Sequence, residues 1–197
     1  MMFTAHPQAP KLTERLQTLG TGHDAPFDGE LYRFINPTYS KSSDILDGAG
    51  ALHANGRWNV KGAVRLSYTA LAPQTALAEA LAHVNYFRLP INKALPRVLV
   101  ALRLRAKRVL DLRDGNVRKT LRLSEDTIRK LDWRAENQHG DVAVTQAWGT
   151  AFAAAGFEAA IVPSAADASG ANVLVYPENL HAGSRFDVVS EVRWPGK

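Results

Sequence analysis

The chain is 197 residues long, carries 24 lysines and arginines against 19 aspartates and glutamates for a formal charge of +5, and contains no cysteine. With 46% apolar and 22% charged residues it has the length and composition of one globular domain, which excludes disordered, collagen-like and coiled-coil classes. The absence of cysteine excludes disulfide scaffolds, thiol nucleophiles and thiolate-bound metals and fits a cytoplasmic protein, and no apolar run is long enough to predict a membrane span.

Residues 1–29 are predicted to form an N-terminal appendage to a main domain over 30–197. A helix over 11–19 lies between Pro10 and the Gly20-Thr21-Gly22 break, followed by a polar loop through Asp28-Gly29. A first strand is expected over 31–35, ended by Asn36-Pro37 because proline cannot donate to the ladder. Residues 38–56 show no periodicity, and ordered loops of that length are more often functional than decorative. A strand over 64–69 precedes a helix with Pro73 in its first turn that runs to Phe87. From Val98 an apolar run passes into alternation at Arg103, Leu104 and Arg105, the pattern of a strand with one wet face. Ser124 caps a short helix to Leu131, and a longer helix over 142–155 ends at Gly156. The last strands are expected over 157–162, 172–176 and 187–194. Strands and helices mix without regular β-α-β alternation, so the predicted fold class is α+β.

Three constellations could carry chemistry. On the helix after Pro73, Leu77, Leu81 and Val84 share one face while Glu79, His83 and Tyr86 share the other. A lone carboxylate among alanines suits a partly enclosed surface; a wet stripe with a Glu79–His83 pair is the plainer reading. Gly56-Arg57-Trp58-Asn59-Val60-Lys61-Gly62 combines close backbone approach, a bidentate guanidinium and a flat indole, which suits phosphate binding or an ordinary turn with a half-buried tryptophan. The basic series Arg97, Arg103, Arg105, Lys107, Arg108, Arg113, Arg118, Lys119 and Arg122 lacks interleaved aromatics, so a solvated strand edge and loop explain it better than nucleic acid does. The six histidines have no metal-ligand spacing.

Taken in order, Leu31-Tyr32-Arg33, Gly56-Arg57-Trp58-Asn59, Leu66-Ser67-Tyr68-Thr69-Ala70, Ala76-Leu77-Ala78-Glu79, Val162-Pro163-Ser164 and Asn172-Val173-Leu174 resemble the RES domain family over about residues 30–190. The family is named for an arginine, a glutamate and a serine, matched by Arg33, Glu79 and Ser164. The resemblance implies an ADP-ribosyltransferase-like single domain of mixed, mainly antiparallel sheets flanked by helices. It implies a toxin that degrades NAD⁺ by hydrolysis or phosphorolysis and assembles with an Xre-type antitoxin. NAD⁺ is then substrate, with no bound cofactor or metal and no membrane or direct nucleic-acid contact; ADP-ribosyl transfer to a protein or nucleotide is the alternative. On this resemblance Arg33, Glu79 and Ser164 are catalytic, and Arg57, Trp58, Asn59, Tyr68 and Asn172 bind substrate. The first 29 residues and Tyr176-Pro177, where the family usually has Asn-Pro, depart from the pattern.

Overall fold

A computed structural model describes residues 5–19, 22–39, 41–95 and 97–194. The elements in chain order are α1 (Ala9–Leu19), β1 (Asp24–Ile35), α2 (Ser42–Leu46), α3 (Gly50–His53), β2 (Ser67–Ala70), α4 (Pro73–Tyr86) and β3 (Arg97–Asp111). Then follow α5 (Gly115–Leu121), α6 (Glu125–Lys130), α7 (Trp133–Gln138), α8 (Val144–Ala154), β4 (Ala159–Pro163), β5 (Ala171–Val175) and β6 (Arg185–Trp194).

β3 organises the sheet. Its fifteen residues pair antiparallel with β1 on one side and β6 on the other, and its last three pair parallel with β4. The order β1-β2-β5-β4-β3 returns to β1 through the β1–β3 ladder, so these five strands close a ring with β6 added beside β3. One parallel pair among antiparallel ones, with helices flanking the sheet, makes this the expected α+β fold. Every residue of β4 and β5 is buried, the pattern of strands covered on both faces. One core joins Leu12, Leu16, Trp58, Trp148, Phe152 and Tyr176; the other joins Leu31, Val100, Leu102, Leu104 and Val173.

Several expectations are corrected. β1 starts at Asp24, inside the stretch expected to be a polar loop. Its polar residues face cross-strand cations, Asp28 with Arg103 at 2.6 Å and Asp24 with Arg108 at 2.8 Å, and Pro26 sits at a register shift where no ladder bond is needed. Leu12, Leu16 and Leu19 of α1 pack into the first core, beside the domain over 30–197. The 38–56 loop contains two short helices and seats Ile45 and Ala51 in the interior. The strand part of the basic series does not line a sheet edge, because β3 is flanked on both sides; beyond the strand, Arg113 and Arg118 pair with Asp111 and Glu125. α5 and α7 were not anticipated, because one or two turns leave no periodic signal; Asp114 and Asp132 cap them.

Glu158, wholly buried before β4, ties the sheet to the chain entering β6. Its Oε2 accepts the backbone N–H groups of Lys107 and Arg108 at 2.5 and 2.7 Å, and its Oε1 accepts that of His181 at 2.7 Å.

Candidate active site

α4 forms because Pro73 fits the first turn and the alanines that follow lose little entropy in a helix. Ala76 and Val84 are buried, and the half-buried Glu79 lies where β4 ends and β5 begins. Ser164 directly follows β4, and Asn172 is the second residue of β5, paired with Val162. The Ser164 hydroxyl donates to Glu79 Oε1 at 2.5 Å, and the Asn172 amide donates to the same oxygen at 2.7 Å. Two converging donors fix the carboxylate, while its Oε2 makes no hydrogen bond among the described residues. Asn172 Oδ1 is buried and has no partner among the described residues.

The Ser164 hydroxyl is itself fixed. It accepts the backbone N–H groups of Ala166 and Asp167 at 3.1 and 3.0 Å, the geometry of a serine-closed turn. Arg129 donates to the carbonyls of Ser164 and Asp167, and Thr75 of α4 donates to Asp167 Oδ2 at 2.7 Å. Helix, turn and strand are thereby bound into one frame around the glutamate.

The opposite wall is the turn Gly56–Asn59. Gln146, buried in the first turn of α8, donates to the carbonyls of Gly56 and Asn59 at 2.9 and 3.3 Å. A Cβ on Gly56 would lie 2.6 Å from both the Tyr68 hydroxyl and Asn59 Oδ1, so only glycine fits there. The Tyr68 hydroxyl donates to Asn59 Oδ1 and accepts the Trp58 N–H, each at 2.9 Å. Burial pushes the Tyr68 phenol far above its ordinary value, so it stays neutral. Arg57 Nη1 donates to the carbonyls of Ile128 and Leu131 at 3.1 and 2.8 Å, capping the end of α6. Burial lowers the Arg57 pKa, and the opposing influence of Glu79 places the two charges in one electrostatic neighbourhood.

Residues 30–195 match the RES domain. The chain belongs to the RES domain family. The fold is also similar to a chain of the crystal structure of the M. tuberculosis MbcT-MbcA toxin-antitoxin complex, at 22% identity and a TM-score of 0.73, covering 92% of this chain and 91% of that one. A comparison with curated proteins finds no match.

Within this RES domain the expected site residues divide into groups. Glu79, Ser164 and Asn172 are in direct contact, and Tyr68 and Arg57 lie close enough to share electrostatic influence with Glu79. Arg33 stands apart: its Nη1 donates to the Ile45 carbonyl and the Ser67 hydroxyl at 3.2 and 3.0 Å, holding α2 against the sheet. Burial lowers its pKa, with Asp47 as the opposing influence. Trp58 and Asn59, also expected to bind substrate, face inward. Trp58 is 1% exposed and packs in the core against Phe152, and Asn59, equally buried, donates to the Ala51 and Ala54 carbonyls. Composition alone cannot tell a tryptophan facing a cleft from one facing the core. The Glu79–His83 pair lies outside the described residues, since the His83 side chain is not among them.

Residues that local pattern missed include Gln146, Arg129 and Arg134. Each acts across long sequence separation, and no neighbouring motif marks it. A cleft of about 490 Å³ opens beside the Ser164 turn, lined by Thr75, Arg113, Arg118, Arg129 and Asp167, but Glu79, Arg57 and Tyr68 do not line it. Among the described residues no group of three or more histidines and carboxylates could hold a metal ion, and no helix is long and apolar enough to cross a membrane.

Proposed function

We propose that this protein is the toxin of a toxin–antitoxin pair and cleaves the nicotinamide–ribose bond of NAD⁺. The observation that carries the reading is Glu79: one oxygen is fixed by Ser164 and Asn172, the other makes no hydrogen bond among the described residues, and the Glu79 charge acts on Arg57 and Tyr68. Breaking the C1–N bond sends its electron pair to the pyridinium, which leaves as neutral nicotinamide and needs no general acid. The ribose becomes an oxocarbenium-like cation, and Glu79 stabilises it while accepting a hydrogen bond from a ribose hydroxyl. Water or phosphate then bonds to C1 and loses a proton. This accounts for a site with a single carboxylate at its centre.

The neutral Tyr68 ring attracts the cationic nicotinamide by roughly 0.5 to 2 kcal/mol and lets it go once the charge is lost. Arg57, tethered through Nη1, offers its remaining N–H groups to a substrate phosphate. Asn172 Oδ1 is a buried acceptor that a bound ligand's N–H or O–H would satisfy. Ser164 and Arg33 act here as positioning residues, one for Glu79 and one for α2. The similar fold in a toxin–antitoxin complex supports an antitoxin partner, for which an Xre-type protein is proposed; cytoplasmic action is proposed because an NAD⁺-consuming enzyme must meet its substrate there.

Incubation with NAD⁺, with and without inorganic phosphate, tests the reading. Nicotinamide should appear with free ADP-ribose or its 1″-phosphate. ADP-ribose attached to a macromolecule would replace cleavage by transfer, and a folded protein that releases no nicotinamide would overturn the proposal.

A further inference from the structure

Arg134, in the first turn of α7, is held in an unusual way for an arginine. Its guanidinium carbon lies 4.6 Å from the centre of the Tyr86 ring and 4.3 Å from that of the Trp133 ring. The carboxylate nearest in sequence is already engaged. Asp132 Oδ1 accepts the N–H groups of Arg134 and Ala135 to cap α7, and Oδ2 accepts the Tyr86 hydroxyl at 2.8 Å. The Arg134 guanidinium makes no hydrogen bond or ion pair among the described residues. Aromatic faces engage a guanidinium through its π surface and leave its rim of five N–H donors available.

Its position adds the second half of the argument. Arg134 is half-buried over Tyr86, which lies on α4 about two turns beyond Glu79; the charge of Glu79 acts on Arg134, and that of Arg134 on Arg57. Glu79 and Asp132 act on both guanidiniums, but the rim of Arg134 and the N–H groups of Arg57 beyond Nη1 have no partner among the described residues, so a dianion held there would meet two sets of open donors. Arg57 reaches that space from the Gly56–Asn59 turn and Arg134 from α7, with α6 and its following loop tying the two together through the Arg57 bonds to Ile128 and Leu131.

We propose that Arg134 is a specificity residue that, with Arg57, grips the diphosphate bridge of a dinucleotide substrate. The inference rests on the NAD⁺ reading and deepens it: Glu79 acts at the ribose, and the arginine pair selects substrates that carry two linked phosphates. Stacking on Tyr86 and Trp133 keeps the guanidinium plane fixed, so a planar, two-point contact forms with little ordering of the side chain.

Two measurements on the full chain decide it. Calorimetry with inorganic pyrophosphate should detect binding to the wild type and at least tenfold weaker binding to Arg134→Met, which keeps the apolar stem between the rings. Nicotinamide release from NAD⁺ by the same variant should show KM raised at least tenfold with kcat within about twofold. Should Arg134→Met prove unfolded by melting, Arg134→Lys, which retains stem and charge, should still weaken both severalfold. No pyrophosphate binding by the wild type, equal binding by wild type and variant, or a fall in kcat at unchanged KM overturns the assignment. A wild type that binds pyrophosphate but releases no nicotinamide overturns the NAD⁺ reading instead, leaving the anion grip intact.

Discussion

A single carboxylate among alanines marks Glu79 only weakly, since a wet helix stripe is the plainer reading; the resemblance to the RES domain is what groups it with Ser164 and Asn172, whose contacts with it form only through the sheet. Glu79→Gln should keep the fold and NAD⁺ affinity, since shape and one acceptor remain, and lose kcat by about 10²- to 10³-fold because the lost charge matters chiefly in the transition state. Single-turnover nicotinamide release beside calorimetric NAD⁺ binding checks this, and half the wild-type rate in the variant would remove Glu79 from the mechanism. Arg57→Lys should raise KM on the order of tenfold, as a hydrogen bond to a charged group contributes about 1.5 to 3 kcal/mol and lysine lacks the planar fork. Steady-state kinetics at constant ionic strength would read that change, and an unmoved KM would confine Arg57 to capping α6.

Strands and helices with a strong period were found nearly in register: α4 and α8 differ from expectation by one or two residues, and β4, β5 and β6 are close. The beginning of β1 escaped because its periodicity is hidden by Pro26 and by acidic residues whose cations come from β3. The Gly56–Asn59 turn was noticed for its composition, but its depth follows from α8, which no local reading connects to it. Gly149 of α8 faces the Trp58 carbonyl so closely that an added Cβ would overlap that oxygen. Gly149→Ala should therefore cost about 1 to 3 kcal/mol as an overpacked contact, although alanine in a helix ordinarily gains about 1 kcal/mol over glycine. A urea midpoint that rises in the variant would show that α8 and the turn do not press on each other.

At the scale of the molecule, the α+β class followed from the order of elements, but the closed ring did not, since β1–β3 pairing is fixed by side-chain complementarity far apart in the chain. Glu158 sits at the junction. Burial pushes its carboxyl up, but the hydrogen bonds it accepts, from His181, Arg108 and Lys107 backbone among others, outweigh this and hold it below the ordinary value of 4.5. A lowered folded-state pKa gives stability that is complete above the unfolded value and is lost as pH falls through the folded one. The unfolding midpoint should thus be level near neutrality and decline below about pH 4.5. In Glu158→Gln the unfolding free energy should start lower by about 2 to 3 kcal/mol and decline less steeply; acid denaturation curves of equal slope would remove Glu158 from the effect. The ring also sets a clock. Glu79 receives its last fixing bond from Asn172, 93 residues further along the chain. At about 5 to 20 residues per second, the ribosome takes on the order of 5 to 20 s to make that interval. On the proposed reading, a chain cut short before Ser164 lacks the frame that fixes Glu79 and releases no nicotinamide. The proposed antitoxin, made in advance, has that interval in which to meet the chain.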